Sequence, residues 1–279
     1  MFEKVNPEHP DKVADRIAGA IVDLAYAREE NPKVAVEVLI GHGYCYIVIE
    51  SSVVFDYDDV DPIVQRITRG KVHTVRLLCN PQDRHLAKNQ QGAIRCGDNG
   101  IFRGVPVSDE ETLLTGIVRQ LYEQYPTDGK YLINGDLIIS CQSRVDNDFS
   151  VKVRMAAKNP VKVKCNPLGG WTGGVDVDSG ATNRKLGSDM GRAVTGGGLH
   201  GKDLSKADVS VNIMCHKLAQ ELKREVSAFC AIGDEQVTFH ISETDSEMVF
   251  SYDTVVGVAR EYIKTLGGFE RFAEWGLID

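Results

Sequence analysis

Between residues 166 and 203 the chain carries eleven glycines. Glycine costs backbone entropy to order and offers no side chain to bury, so this stretch predicts loop rather than a long helix or a core strand. The regular structure must lie on either side of it, where the hydrophobic pattern switches period repeatedly. Val13, Ile17, Ile21 and Leu24 recur at helical spacing over residues 10–30, and Pro10 suits a first turn. Val34 to Ile40 and Cys45 to Ile49 read as strands joined by Gly41-His42-Gly43. Residues 59–69 read as helix and Val72 to Leu78 as strand. Asn80 to Arg95 is polar and aperiodic, as a mobile loop or lid would be.

Ser108 with Glu111 forms a capping-box signature for a helix reaching about Tyr125. Tyr131 to Ile133, Asn134-Gly135 and Asp136 to Ser140 read as a tight hairpin. Phe149 to Met155 and Val161 to Cys165 alternate like strands. Val211, Met214, Cys215, Leu218 and Leu222 mark an amphipathic helix. Val226 to Ile232 and Gln236 to Ile241 follow as strands, and residues 253–265 as helix. Strand pairs thus alternate with single helices about three times. This pattern predicts an α+β fold of three similar subdomains, each a sheet covered on one face by helices. No residue-level repeat or low-complexity linker separates them.

The net charge of −8 over 279 residues argues against nucleic-acid binding, which needs a basic footprint. No apolar run approaches the roughly 18 residues of a membrane span, and the first residues lack the apolar core of a secretion signal. A cytoplasmic protein with no membrane partner is the expectation. The seven cysteines form no C-x-x-C pair. Cys45, Cys141 and Cys230 sit in strand-like runs and read as reduced, mostly buried thiols.

Two segments concentrate chemistry. Gly196-Gly197-Gly198-Leu199-His200-Gly201-Lys202 has most of a phosphate-loop pattern, but Asp203 stands where Ser or Thr should hold magnesium. A true phosphate-loop NTPase is therefore disfavoured. A looser anion cradle remains, with backbone amides approaching a phosphate before a helix start. Lys202 and Lys206, spaced i, i+4, could share one side of that start, where they oppose the macrodipole unless an anion binds. The plainer alternative is a flexible loop. The other segment is Glu8-His9-Pro10-Asp11-Lys12. Helix capping explains Asp11 but not His9 or Lys12. His-Pro-Asp also marks co-chaperone J-domains, which are all-helical, unlike this strand-rich chain. Arg184-Lys185, after Asp176 and Asp178, would alone pass for a solvated turn, and Cys96-Gly97-Asp98-Asn99-Gly100 for an Asx turn.

Together these pieces resemble a family. His9-Pro10-Asp11-Lys12, Gly97-Asp98-Asn99-Gly100, Arg184-Lys185 and Gly196 through Asp208 stand in the order and approximate spacing of S-adenosylmethionine synthetases. Asp128-Gly129-Lys130, Ser140-Cys141-Gln142 and Asn166-Pro167 fit the regions between. The resemblance implies subdomains near 1–94, 95–167 and 168–279 in one interlaced unit, each a mixed sheet, with sheets packing flat at a dimer interface. It implies that ATP and L-methionine react to S-adenosylmethionine and triphosphate, which is then split to pyrophosphate and phosphate. It implies two magnesium ions at Asp11 and Asp208, and potassium near Glu37. Lys130, Arg184, Lys185, Lys202 and Lys206 would grip the triphosphate, and His9 would donate to the leaving oxygen. Glu50 would bind the methionine ammonium, Asp98 would assist it or the ribose, and Gln82 would contact methionine. Trp171 would stack on adenine, Asp128 would line the substrate site, and Asp178 would meet the ribose or basic partners. The expected assembly is a homodimer with shared sites, with tetramers left open.

The chain also departs from that pattern. Glu8 stands where Gly is usual, Thr195 where His is usual, and Asn99 where Gln is usual. The loop after the three glycines is one residue shorter, the polar loop before Asp98 is compressed, and the usual C-terminal segment is absent. A short, reduced member fits these differences. So does a non-catalytic nucleotide-binding or regulatory paralogue, which methionine-dependent turnover would exclude.

Overall fold

The computed structural model describes residues 1–158 and 161–279. The elements in chain order begin β1 (Phe2–Val5), α1 (Pro10–Arg28), β2 (Val34–Gly41), β3 (Tyr44–Ser51), α2 (Tyr57–Thr68), β4 (Thr74–Pro81) and α3 (Arg84–Asn89). They continue with β5 (Gly100–Gly104), α4 (Asp109–Gln124), β6 (Gly129–Asn134), β7 (Leu137–Gln142), α5 (Phe149–Ala157) and β8 (Lys162–Cys165). Then come β9 (Ser179–Ala181), α6 (Leu186–Met190), α7 (Ala207–Leu222), β10 (Val226–Cys230), β11 (Gln236–Ile241), β12 (Ser246–Ser251), α8 (Tyr252–Leu266) and α9 (Phe269–Trp275).

These strands form three four-stranded sheets, ordered β4-β3-β2-β9, β1-β6-β7-β8 and β12-β11-β10-β5. Each sheet combines three consecutive strands with one edge strand from a distant stretch of chain. β9 pairs with β2, with Gly180 opposite Ile40. β1 pairs with β6, and β5 with β10. The first two sheets are mixed, through the parallel pairs β3–β4 and β7–β8, and the third is antiparallel throughout. The α+β fold of three helix-covered sheets expected from the sequence is the fold observed, except that the third sheet is antiparallel rather than mixed, because its strands β10 to β12 follow one another through tight turns and β5 joins them antiparallel.

Local chemistry explains several of these elements. α1 starts at Pro10 behind the extended His9, with Asp11 in the first turn. Its faces are buried almost all round, and it packs against β2, β9 and α9. Ser108 and Glu111 close a reciprocal capping box on α4, satisfying amides that a helix start leaves unpaired. Gly135 takes φ +57° in the β6–β7 turn, where a side chain would strain the backbone. Along β2 and β3 the side chains alternate strictly. Val36, Val38, Ile40, Cys45, Ile47 and Ile49 face the core, while Leu39, Tyr44, Tyr46 and Val48 lie exposed on the outer face.

The segment 149–155 is helical, not the strand its alternation predicted. Phe149 and Val153 are separated by four, a spacing that fits both periods. As α5 they bury with Ala156 and Ala157 against α4, leaving Val151 and Met155 exposed. The glycine-rich stretch is mostly loop as expected, yet it holds the short β9 and α6. Cys141 is exposed, contrary to the expectation of buriedness, because β7 turns it to the open face. All seven cysteines are free.

Candidate active site

The edge of β2 organises the site. β9 hydrogen-bonds along its Leu39–Gly41 end. The chain then returns, and Val36 N–H donates to Gly201 O while Asp203 N–H donates to Val34 O. One strand edge therefore carries both the segment entering Arg184-Lys185 and the glycine loop.

The first cluster gathers at the start of α1. Asp11 accepts from Lys185 Nζ at 2.7 Å and from the Ala181 amide at 2.9 Å, with Arg184 3.6 Å away. Burial opposes its ionisation, but these hydrogen bonds and the Lys185 charge hold its carboxyl below the usual carboxylate range. The Asp11 amide donates to His9 Nδ1 at 3.2 Å, which leaves the ring proton on Nε2. Burial, and then the Lys185 charge, push the His9 pKa down to about 4, so the ring is neutral near pH 7. His9 lines a cavity of about 420 Å³ with Lys130, Asp128, Trp171, Asp178 and Cys141. Lys130 pairs with Glu3 at 2.8 Å. Asp128 accepts from the Gly174 amide through Oδ2, but its buried Oδ1 has no partner, and burial raises its pKa to about 7.

The second cluster lies under the glycine loop. Lys202 Nζ donates to Asp208 Oδ2 at 2.6 Å, and Lys206 Nζ lies 3.6 Å from Asp98 Oδ1. Asp98 Oδ2 is buried and unpartnered, and burial raises the Asp98 pKa despite Lys206. A Cβ on Gly197 would sit 2.3 Å from the Asp208 carboxylate, so a side chain there would push that carboxylate aside. Thr195 Oγ both donates to Gly197 O and accepts from its amide, closing the turn. Lys202 and Lys206 do not share one side of a helix start, contrary to their i, i+4 spacing. Lys206 is the residue before α7, but Lys202 lies outside the helix, bridged to Ala35 of β2. Backbone pairing at the sheet edge outweighs helical propensity there.

None of Lys202, Lys206, Asp208 or Asp98 lines the His9 cavity. Glu37 and Glu50 lie on the outer sheet face, Glu37 accepting from Thr182 Oγ1, and Glu50 opposite Ala35. Gln82 sits apart, with its Oε1 buried and unpartnered, in a groove of about 620 Å³ lined also by Glu29, Lys33, Ser51 and Gln90. The expected lid is partly structured by α3. Asn89 Nδ2 donates to Cys96 O, and Arg95 Nε to Glu235 at 3.0 Å, tying it to the third sheet.

Sequence reasoning missed a buried group behind both clusters. Lys12 Nζ donates to Asp189 Oδ1 at 2.6 Å, and lies 3.2 Å from Asp15 Oδ2 and 3.3 Å from His200 Nε2. Asp15, Asp189 and His200 converge closely enough to ligate a metal, but the Lys12 ammonium already fills their centre. Lys12 and Asp15, charged residues adjoining the apolar positions Val13 and Ile17 near the start of α1, were the available signal. Glu8 was also missed as a tie. Its Oε1 accepts from Arg69, Tyr122 and Arg16 at 3.0–3.3 Å, joining α1, the end of α2 and α4 just before His9.

Comparison with known proteins agrees with the motifs. Residues 1–77 match the model of the S-adenosylmethionine synthetase N-terminal domain. The S-adenosylmethionine synthase of Mycoplasma capricolum is 25% identical over an alignment covering 95% of this chain and 87% of that one. That of Maridesulfovibrio salexigens is 27% identical over 83% and 76%. The resemblance read from the sequence stands. In fold, the chain superimposes with TM-score 0.76 on a structure described as an unusual S-adenosylmethionine synthetase from Campylobacter jejuni, 20% identical, covering 99% of this chain and 93% of that one. Among the described residues no helix is long and apolar enough to cross a membrane.

Proposed function

We propose that this chain makes S-adenosylmethionine from ATP and L-methionine, the sulfur attacking C5′ and the triphosphate leaving, followed by its hydrolysis to pyrophosphate and phosphate. The observation that carries the reading is the pairing of Asp11 with Lys185 next to the neutral His9, matched by the pairing of Asp208 with Lys202 under the glycine loop. A thioether sulfur has no proton to lose, so attack needs no general base. What the transition state needs is preorganised positive charge on the leaving chain. Arg184, Lys185, Lys130, Lys202 and Lys206 supply it, and the His9 Nε2–H is a donor suited to the departing oxygen. Trp171 offers a face for adenine, with Asp128 and Asp178 toward the sugar side. Glu50, Asp98 and Gln82 serve methionine or the ribose.

Asp11 and Asp208 fit magnesium. Each presents carboxylate oxygens now satisfied by an ammonium, and magnesium is commonly held by one or two carboxylates plus substrate phosphates. Bound there, it neutralises charge on the phosphate oxygens. Glu37 offers oxygen to potassium. The two clusters complement each other, and neither alone is a full site. Together with the exposed Leu39, Tyr44, Tyr46 and Val48 face, this supports a homodimer whose sites draw one cluster from each subunit.

The test is to incubate the protein with ATP, methionine, magnesium and potassium and to detect the product by mass. Product that requires methionine and vanishes in Lys202→Met supports the synthetase. Bound ATP without product would leave the non-catalytic paralogue.

A further inference from the structure

The two clusters are joined by one side chain, Asn183. It immediately precedes Arg184-Lys185, and its amide reads the backbone of His200, two residues before Lys202. His200 N–H donates to Asn183 Oδ1 at 2.9 Å, and Asn183 Nδ2 donates to His200 O at 3.1 Å. The Asn183 amide also fills the space over Gly198, where a Cβ would sit 2.4 Å from its carbon. Its own backbone is left-handed, φ +62°, and its N–H donates to Asp15 Oδ1 at 2.7 Å.

Behind this contact lies the buried Lys12–Asp15–Asp189–His200 group. The His200 ring, set against the edge of Phe272, lies 3.0 Å from Asp189 Oδ2. Burial would raise the Asp189 pKa, but Lys12 and His200 hold it well below the carboxylate range. The Asp189 backbone oxygen accepts from the Leu277 and Ile278 amides, so α6, which follows Lys185, is held from both sides. Backbone and side chain are thus fixed at each end of the Asn183 link.

We infer that Asn183 is a positioning residue: its paired hydrogen bonds to His200 set the separation between the Arg184-Lys185 arm and the Lys202–Asp208 arm. The inference rests on the proposed function, in which both arms grip triphosphate. In a dimer with composite sites, the two arms of one chain must meet their counterparts simultaneously, so their spacing governs both sites. Misplacement by about 1 Å at such a site can cost on the order of 100-fold in rate.

Asn183→Gly tests this, because glycine tolerates the left-handed backbone and loses only the amide. Asn183→Asp keeps the acceptor for His200 N–H but sets an oxygen against His200 O. Melting, S-adenosylmethionine formation and titration with magnesium and tripolyphosphate are measured for the parent and both variants. The expected result is a melting midpoint lowered by only a few degrees, roughly the loss of one buried hydrogen-bond pair, a kcat lower by about 10-fold or more, weaker tripolyphosphate binding and an unchanged KM for methionine. A glycine variant with parental kcat and tripolyphosphate affinity would overturn the inference. So would melting of both variants far below the parent, since Asn183 would then serve folding alone. A parent that binds tripolyphosphate but makes no product would sink the synthetase reading, while the variants' tripolyphosphate affinities still decide the role of Asn183. A parent that binds none would end both.

Discussion

At the scale of single residues, electrostatic environment sorts groups that the sequence lists as equals. His9 and Asp11 are two positions apart, yet one is held neutral and the other ionised. If the neutral ring donates only to the leaving oxygen, His9→Ala should lower S-adenosylmethionine formation by about 100-fold and hydrolysis of added tripolyphosphate far less. Steady-state assays of both steps check this, and equal losses would remove His9 from the leaving-group role. Asp128 shows the opposite shift, with burial raising its pKa to about 7. A folded state that holds the proton more tightly than the unfolded chain loses stability as pH rises, here between about 4 and about 7. Asp128→Asn should therefore be more stable than the parent at pH 8 by at least about 1 kcal/mol, and the gain should vanish near pH 4. Denaturant titration at both values measures it. A gain independent of pH would mean the carboxyl is not the group responsible.

At the scale of elements, the motifs work because short segments approach one another very closely. β9 lies on the start of α1 so tightly that a Cβ on Gly180 would be 2.1 Å from the Pro10 carbonyl carbon. No flexible side chain can yield there, since the neighbour is backbone. Gly180→Ala should cost about 2 kcal/mol or more through overpacking and should also weaken metal-dependent activity by moving Ala181 away from Asp11. Thermal melting with an activity assay tests both, and a stable, active alanine variant would show that β9 has room to shift. Helix starts were legible here because capping is local: Ser108 and Glu111 announce α4 by themselves. The α5 segment was not, because Phe149 and Val153 fit two periods and only packing against α4 chooses between them. β1, β5 and β9 were also missed, since an edge strand of three to five residues gains its identity from the sheet it joins.

At the scale of the whole molecule, two separate charged clusters and the exposed apolar faces of the first and third sheets, the latter carrying Ile101, Phe229 and Val249, bear on the proposed dimer. Leu39 and Tyr46 are each about half exposed on the face that also carries Glu37 and Glu50. Tyr46→Lys should give a folded protein that sediments as a monomer and has lost S-adenosylmethionine formation. An active monomer would refute the shared site. The segment 80–95, tied through Asn89 to Cys96 and through Arg95 to Glu235 beside the start of β11, leaves the groove beside Gln82 open. Methionine analogues with larger S-alkyl groups should accordingly be turned over more readily, relative to methionine, than by longer-looped synthetases. Equal ratios would count against an open pocket.

The sequence by itself determined the helix-covered sheets, the capping of α4, the β6–β7 turn and the residue types of the proposed site. These follow from local periodicity, turn chemistry and short charged motifs. Tertiary structure alone decided which strands cross between sheets. It also decided that Lys202 belongs to a sheet edge, that the motif residues fall into two clusters, and that Asn183 and the Lys12–Asp189–His200 group connect them. The reason is physical. Hydrogen bonds between residues far apart in the chain, such as Asn183 with His200 or Lys12 with Asp189, leave no periodic trace. Their value arises only after burial has removed the competing water.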